Sequence, residues 1–423
     1  MLVKSNYNIV VKEKDNFIVY NTLTQGMLLM DIEHISYLEE VDKFTEDEKK
    51  QLEKFGILVD NEKYEMDKLK FDNRCEKHNQ TSMSITVAIT NNCNFRCRYC
   101  YQAHEIQSLS LKDAENLLSM IKNKIDNGLQ RFSLHWFGGE PLLNIQVLKY
   151  IDSHIQSYIS GTRCKYYSSI TTNGFLLDKD MIENLEDVKI DSFQITLDGV
   201  GEFHDYNRTL ADGGGTFDTI INNIKLLVDK GKKVNIRYNV NKKNRNIEPF
   251  IIFLEEEGLL DKVSLNFNRT QKFDKSEDID NYYFETLQEY SKALNYIYQV
   301  LFKYGIKVPT YYSSGINCKF DCVNNFLVDS NLEIYRCTSS ENAEEFKLGK
   351  IVNGQVDFNL KTLREKIINE PFDKNKCLGC KVLPFCMGGC HLLAKMSIEE
   401  CIPEKHFIEE LVRLYYLEVA KDV

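Results

Sequence analysis

Three cysteines stand close together as Cys93-Asn94-Phe95-Arg96-Cys97-Arg98-Tyr99-Cys100, spaced CxxxCxxC, just after the β-like run Ser82–Thr90. An iron–sulfur cube takes one thiolate per iron, so three thiolates suit a cluster with one iron open to a small ligand. Zinc loops use related spacings, and the spacing by itself is compatible with either metal. Gly138-Gly139-Glu140-Pro141 closes a second β-like run, Phe132–Phe137. A second group of cysteines follows late in the chain: Cys318, Cys322, Cys337, Cys377, Cys380, Cys386, Cys390 and Cys401. The pair Cys377 and Cys380, taken alone, reads as half of a zinc ribbon.

The elements that must position these residues alternate. Strand-like runs at Ser82–Thr90, Phe132–Phe137, Lys165–Thr171, Ser192–Leu197, Val234–Val240 and Lys262–Phe267 are separated by helix-like runs. Those helices are read at Leu111–Ile125, Ile145–Ile159, Lys179–Leu185, Phe217–Lys230 and Ile247–Glu257, with Ser110 as an N-cap. Such a string predicts parallel βα units, closed as a barrel or open as a doubly wound sheet. CxxxCxxC, GGEP, Thr172-Asn173-Gly174 and Asp198-Gly199 all fall at C-terminal strand ends, where barrels of this kind hold their chemistry.

CxxxCxxC and GGEP together, each closing a strand, resemble the radical S-adenosylmethionine (radical SAM) superfamily. The resemblance implies an α/β fold with a partial (β/α)6 TIM-like barrel over residues 82–270. The late cysteines resemble the SPASM extension, which implies a cysteine-rich domain over 318–423 behind a bridging region at 271–317. Residues 281–304 read as one long helix there, with an apolar stripe from Tyr283 to Tyr304. Residues 1–70 read as a small α+β, winged-helix-like module with strands near 7–11, 17–21 and 28–31 and helices near 35–41 and 46–55. It resembles the precursor-recognition element of enzymes that modify ribosomal peptides, which captures a leader by strand addition. Glu62–Asn79 is polar and reads as a linker.

By the resemblance, Cys93, Cys97 and Cys100 would hold a [4Fe–4S] cluster whose open iron chelates S-adenosylmethionine. Its reductive cleavage would give a 5′-deoxyadenosyl radical that takes hydrogen from substrate. Cys318, Cys322, Cys337 and Cys390 would hold one auxiliary [4Fe–4S] cluster, and Cys377, Cys380, Cys386 and Cys401 another. That makes three clusters and leaves Cys75 and Cys164. Gly138, Gly139, Glu140 and Pro141 match the strip that meets the ligand's amino group, and Tyr99 the aromatic beside the adenine. Asn173, Thr196 and Asp198 match strand-end polar positions near the ligand, and Asn239 is a further candidate. Arg208 ends an HDxxR element and would take the ligand's carboxylate. The family usually places glycine where this chain has Leu332, and Ser330-Asn331 are read as making that turn instead. No general base is identifiable.

The implied function is a maturase that takes hydrogen from a ribosomally made precursor peptide and installs a thioether or carbon–carbon crosslink. Its partners would be a leader-bearing peptide and a flavodoxin or ferredoxin as electron donor. The alternative is an anaerobic sulfatase-maturing enzyme forming formylglycine. That family carries aspartate directly after the cysteine matching Cys337, where this chain has Thr338. A non-enzymatic cluster carrier would have no use for the GGEP strip. The formal charge of −10 argues against a nucleic-acid surface. No run reaches membrane-spanning length, and Met1-Leu2-Val3-Lys4-Ser5 lacks a signal peptide's apolar stretch, so a cytoplasmic protein is expected. Thirteen cysteines in that compartment point to metal ligation before disulfides.

Overall fold

The computed structural model describes residues 2–102, 106–273, 276–311, 316, 318–341, 343–362, 370–395 and 401–421, apart from the side chains of residues 62, 394 and 395. The bridging stretch 271–317 and the cysteine-rich stretch 318–423 therefore lie partly outside the described residues. The chain divides into two units. One comprises Met1–Asn79, Thr286–Cys322 and Asn369–Val423; the other comprises Gln80–Glu285 and Val323–Ile368. Among the described residues, no helix is long and apolar enough to cross a membrane.

The first unit opens with β1 (Val3–Lys4), β2 (Asn8–Glu13), β3 (Asn16–Asn21), β4 (Met27–Met30), α1 (Ile32–Tyr37), α2 (Glu46–Lys54) and β5 (Leu58–Val59). Strands β2, β3 and β4 form an antiparallel sheet in that order, and β1 pairs with β5. Thr45 caps α2 in a capping box with Glu48, as the spacing of those two residues allows. Val19, Leu38, Phe44, Leu52, Ile57 and Leu58 close the core. The polar stretch read as a linker is helix α3 (Glu62–Lys77), capped by Asn61. Its residues are mostly good helix formers, and Leu69, fully buried, anchors one face against the rest of the unit.

The second unit carries the barrel. Strands β6 (Ser82–Ala88), β8 (Arg131–Phe137), β9 (Lys165–Thr172), β10 (Ser192–Thr196), β12 (Val234–Val240) and β13 (Val263–Arg269) pair in parallel in chain order. Between them run α4 (Leu111–Asp126), α5 (Ile145–Ile159), α6 (Lys179–Asn184), α7 (Glu202–Asn207), α8 (Phe217–Asp229) and α9 (Glu248–Glu256). The buried faces of α4, α5 and α8 carry the apolar residues spaced for a helix on a sheet. Two short strands, β7 (Phe95–Cys97) and β11 (Arg208–Leu210), form a separate antiparallel ribbon.

The helix read over 281–304 is shorter. In the first unit, α10 (Leu287–Lys303) starts at the Thr286 N-cap, so Tyr283 lies outside it. Back in the second unit, β14 (Asn325–Val328) pairs in parallel with β6 and extends the barrel sheet through β15 (Glu333–Tyr335), β16 (Gly349–Val352) and β17 (Gln355–Phe358). At the β14–β15 turn Leu332 itself takes the left-handed conformation, φ +65°, where glycine was expected. Asp329 sustains the turn: its carboxylate accepts from the backbone of Asn331 at 2.9 Å and of Glu333 at 2.8 Å. Leu332→Gly relieves a left-handed penalty of about 1–2 kcal/mol but gives up roughly 2–3 kcal/mol of buried side chain. A net loss of about 1 kcal/mol is expected in thermal unfolding, far below an ordinary core leucine deletion. The first unit ends with α11 (Leu383–Cys386), α12 (His391–Lys395) and α13 (Ile408–Lys421).

Candidate active site

The loop after β6 and the strip after β8 are built as one object. Gly139 N–H donates to the Thr90 carbonyl at 2.8 Å, and Glu140 N–H to the Asn92 carbonyl at 2.8 Å. The backbones lie so close that a Cβ on Gly138 would meet Thr90 O at 2.3 Å, and one on Gly139 would meet Asn92 O at 2.3 Å. Gly138 also has φ +141°, a region open to glycine. The glycines therefore let the strip lie flat against the residues that lead into Cys93.

Glu140 stands behind this strip, fully buried. It accepts from Asn173 N–H at 2.8 Å, the Thr172 hydroxyl at 2.8 Å and Leu142 N–H at 3.1 Å. Burial pushes its carboxyl up to about 7, and those hydrogen bonds pull it back. Glu140 thus ties the end of β8 to the end of β9. Asn173 continues the tie by donating to the Asn94 side chain at 2.7 Å.

The ribbon β7–β11 sets Arg208 by register: it is the partner of Cys97. The Asn207 carbonyl accepts from Arg98 N–H at 3.1 Å and the Asn94 carbonyl accepts from Ala211 N–H at 2.8 Å, which fixes the ribbon at both ends. Arg208 is buried and donates to the Tyr99 hydroxyl at 2.7 Å. That hydroxyl also accepts from Asn239 at 3.1 Å and donates to Asp198. Asp198 in turn accepts from Asn239 N–H at 3.0 Å. Burial raises the Asp198 carboxyl, and the Arg208 guanidinium is the largest opposing influence. Four of the residues singled out by motif, Tyr99, Asp198, Arg208 and Asn239, therefore meet in one network. The motif placed Tyr99 by its backbone; the linking role of its hydroxyl is additional.

One cavity of about 220 Å³ opens at these strand ends. Cys93, Cys97 and Cys100 line it together with Tyr99, Gly138, Gly139, Asn173, Thr196, Arg208 and Asn239. Glu140, Pro141 and Asp198 are not in its lining and support it from behind. Thr338 and Ser339, beyond β15, also line it, and among the described residues no Asp or Glu does. Sequence reasoning missed Arg237, Arg269 and Thr270, which line the same cavity; strand alternation marks Arg237 as sharing Asn239's face, but no motif does.

Burial pushes the Cys93 thiol up to about 11 and the Cys97 thiol up to about 12, and it raises Cys100 as well. Arg208 pulls all three down. Three thiols sharing one buried wall beside a fixed cation make a donor set that fits an iron–sulfur group, whose binding displaces the protons. Among the described residues, no three His, Cys, Asp or Glu side chains converge on the position of a single metal ion.

The late cysteines are divided. Cys318, Cys322, Cys377, Cys380, Cys386, Cys390 and Cys401 belong to the first unit and Cys337 to the second. Burial raises the Cys386 thiol to about 11, and Cys401, Cys377 and Cys380 are near enough to raise it further. Lys405 donates to Cys401 Sγ at 3.7 Å.

Residues 87–251 match the family model described as "Radical SAM superfamily". The chain is 26% identical over 364 residues to a cysteine-type anaerobic sulfatase-maturating enzyme of Clostridium novyi, covering 80% of this chain and 96% of the relative. Among solved structures, native anSMEcpe with bound AdoMet and Cp18Cys peptide superposes with a TM-score of 0.63 at 21% identity, over 80% of this chain and 99% of that one. Streptococcus suis SuiB bound to precursor peptide SuiA gives 0.52 at 18% identity, over 95% of this chain and 99% of that one. Residues 87–251 thus form a radical SAM domain.

Proposed function

We propose that the enzyme modifies a peptide, taking hydrogen from a residue of a ribosomally made precursor and installing a thioether or carbon–carbon crosslink. Cys93, Cys97 and Cys100 hold a [4Fe–4S] cluster, and Gly138, Gly139, Asn173, Thr196, Arg208 and Asn239 surround S-adenosylmethionine. When bound, these groups supply the reductive cleavage that yields a 5′-deoxyadenosyl radical. The chain's own part is placement. Arg208 offers a guanidinium to a carboxylate, the backbone of the glycine strip accepts from an ammonium, and the buried walls exclude water. The two sets of four late cysteines would hold auxiliary [4Fe–4S] clusters, which would supply a path for the surplus electron, and a flavodoxin or ferredoxin would be the external donor.

The observation that carries the peptide reading lies in the first unit. Strand β4 ends its sheet, and among the described residues no strand pairs with its outer side. A groove lined by Leu28, Leu29, Met30, Phe44 and Leu52, with Asp31, His34, Glu48 and Gln51 among them, runs beside it. Leu29 is 45% exposed there. An edge strand next to a groove of mixed apolar and polar lining suits an added peptide strand, with main-chain hydrogen bonds for affinity and the groove for side chains.

The second reading is formylglycine formation, favoured by the names of the relatives that cover most of the chain. Thr338 stands in the cavity wall where that family carries a carboxylate, and among the described residues no Asp or Glu lines the cavity. One experiment separates the two. Reduced, anaerobically reconstituted enzyme is given S-adenosylmethionine and the small peptide encoded beside its gene, and the peptide is read by tandem mass spectrometry. Loss of two hydrogens with fragmentation blocked between two residues is the expected result. An unmodified peptide, with conversion of a sulfatase-motif peptide to formylglycine, would replace this reading with the second.

A further inference from the structure

The layer beneath the cavity is polar, where barrels of this kind are usually filled by branched apolar side chains. Phe137 on β8, Thr171 on β9 and Thr196 on β10 line the cavity. Alternation places His135, Ser169 and Gln194 on the same faces of those strands, one layer deeper. Register sets them side by side: His135 is the partner of Ser169, and Gln194 is the partner of Thr171.

A buried imidazole has to be hydrogen-bonded, and this one is held at both nitrogens. His135 Nε2 meets the Thr171 hydroxyl at 2.9 Å, and Nδ1 meets the Ser169 hydroxyl at 2.8 Å. Burial pushes the imidazole down to about 4, so at neutral pH it is uncharged and one of its nitrogens accepts. Gln194 Nε2 donates to the Thr171 hydroxyl at 3.0 Å. When Nδ1–H donates to Ser169, the Thr171 proton goes to Nε2. Thr171 then keeps a second lone pair for a donor in the cavity that it lines. Deeper still, Ser169 is the register partner of Ser192, whose hydroxyl meets that of Tyr167 at 2.9 Å. Tyr167 is 47% exposed, so this series of groups leads from the cavity to the surface.

The proposed crosslinking sheds a proton. One hydrogen atom passes from the first substrate residue to the 5′-deoxyadenosyl radical. The carbon radical left behind bonds to sulfur or carbon of a second residue, whose S–H or C–H bond breaks. That step releases one electron, taken by an oxidised iron–sulfur acceptor, and one proton. The proton needs an acceptor within reach of the cavity.

We infer that Thr171, His135 and Ser169 form the proton exit of this reaction. Thr171 takes the proton from substrate as it passes its own to His135 Nε2, and His135 releases its Nδ1 proton to Ser169. The inference rests on the crosslinking reading and adds the route by which its proton leaves. Thr171 touches the cavity, and His135 acts through it.

The test uses full-length, reconstituted enzyme with S-adenosylmethionine, reductant and the peptide encoded beside its gene. The readout is crosslinked peptide formed per 5′-deoxyadenosine released. Damage to folding or to ligand binding lowers both amounts, whereas a blocked proton exit lowers their ratio. His135→Gln can hydrogen-bond on both sides but cannot hand a proton from one nitrogen to another. It should lower the ratio about tenfold or more, in keeping with the loss of a proton-transfer group. Thr171→Val should do the same, and Thr171→Ser should keep most of the wild-type ratio. In heavy water the wild-type ratio should fall, because every link moves an exchangeable proton. A ratio within about twofold of wild type in folded His135→Gln or Thr171→Val overturns the inference, since a relay group is worth far more than that. An equal wild-type ratio in light and heavy water overturns it too, whether or not the variants fold. Wild-type enzyme that releases 5′-deoxyadenosine but leaves the peptide unchanged loses the crosslinking reading, and the exit with it. Wild-type enzyme that crosslinks, while both variants hold its ratio, loses the exit alone.

Discussion

Gly139→Ala should lower 5′-deoxyadenosine release by about 100-fold or more, because a shift of about an ångström in a positioning element is enough for that loss. The added methyl would stand 2.3 Å from the Asn92 carbonyl and 2.9 Å from the Asn91 carbonyl, so one of the two backbones has to move. Both are anchored. Gly139 and Glu140 donate across the gap, and Glu140 holds the far side to Thr172 and Asn173. The movement therefore falls on the loop leading to Cys93 and on the strip expected to meet the amino group. Far-ultraviolet circular dichroism should stay close to wild type, since the barrel strands end before this point. Release within about threefold of wild type would show that the close approach carries no such role, against the cost usual for a displaced catalytic group.

Arg208→Met has the second large effect, and it shows first in stability. The guanidinium is buried, donates to Tyr99 at 2.7 Å and opposes the buried carboxyl of Asp198. Removing one side of a buried charge pair costs about 3–5 kcal/mol, because the other charge is left without compensation. The pH dependence has a definite sign. Burial already raises the folded Asp198 carboxyl, and losing Arg208 raises it further. A carboxyl raised in the folded state costs stability once the unfolded chain ionises, so the variant's deficit is small below about pH 4 and grows as pH rises. Denaturant titrations of both proteins at pH 5 and pH 8 check this. A deficit larger at pH 5 than at pH 8 would contradict the account. The same variant should lose affinity for S-adenosylmethionine.

Much of the barrel is legible because its strands are short apolar runs with glycine, proline or asparagine at their ends. The limits of β12 agree residue for residue with the reading, and β6, β8, β9 and β10 agree within two residues. The linker reading of 62–79 failed because composition was weighed over periodicity: Met66, Leu69 and Asn73 recur at helical steps and face inward. The bridging helix starts later than the stripe suggests: Tyr283 continues the apolar spacing, whereas Asn281 has φ +49° and Thr286 supplies the cap. The extension of the sheet by β14–β17 was missed because its four strands are three or four residues long and span a cysteine that drew attention to metal instead. At the site, motif spacing found the residues that form the Tyr99 network. It could not find Arg237 or Thr270, which belong to the site only through the curl of the sheet. At the β14–β15 turn, Leu332 adopts the expected glycine's own conformation instead of leaving the turn to Ser330 and Asn331.

Within the first unit, Tyr7 and Leu69 pack against Phe372, Cys377, Leu383 and Met387, with Met66 and Cys380 at the margin. The Thr22 hydroxyl donates to the Lys381 carbonyl at 2.5 Å. The loop of Cys377 and Cys380 is thus floored by residues from the start of the chain. This gives biosynthesis an order. Contacts this distant in sequence form late, and a growing chain cannot close them before residues 372–387 have left the ribosome. The sheet of β2, β3 and β4 can fold early, but the nest around these cysteines is complete only when the two segments meet. If the proposed auxiliary cluster forms here, its loading with iron and sulfide would have to follow synthesis of both segments.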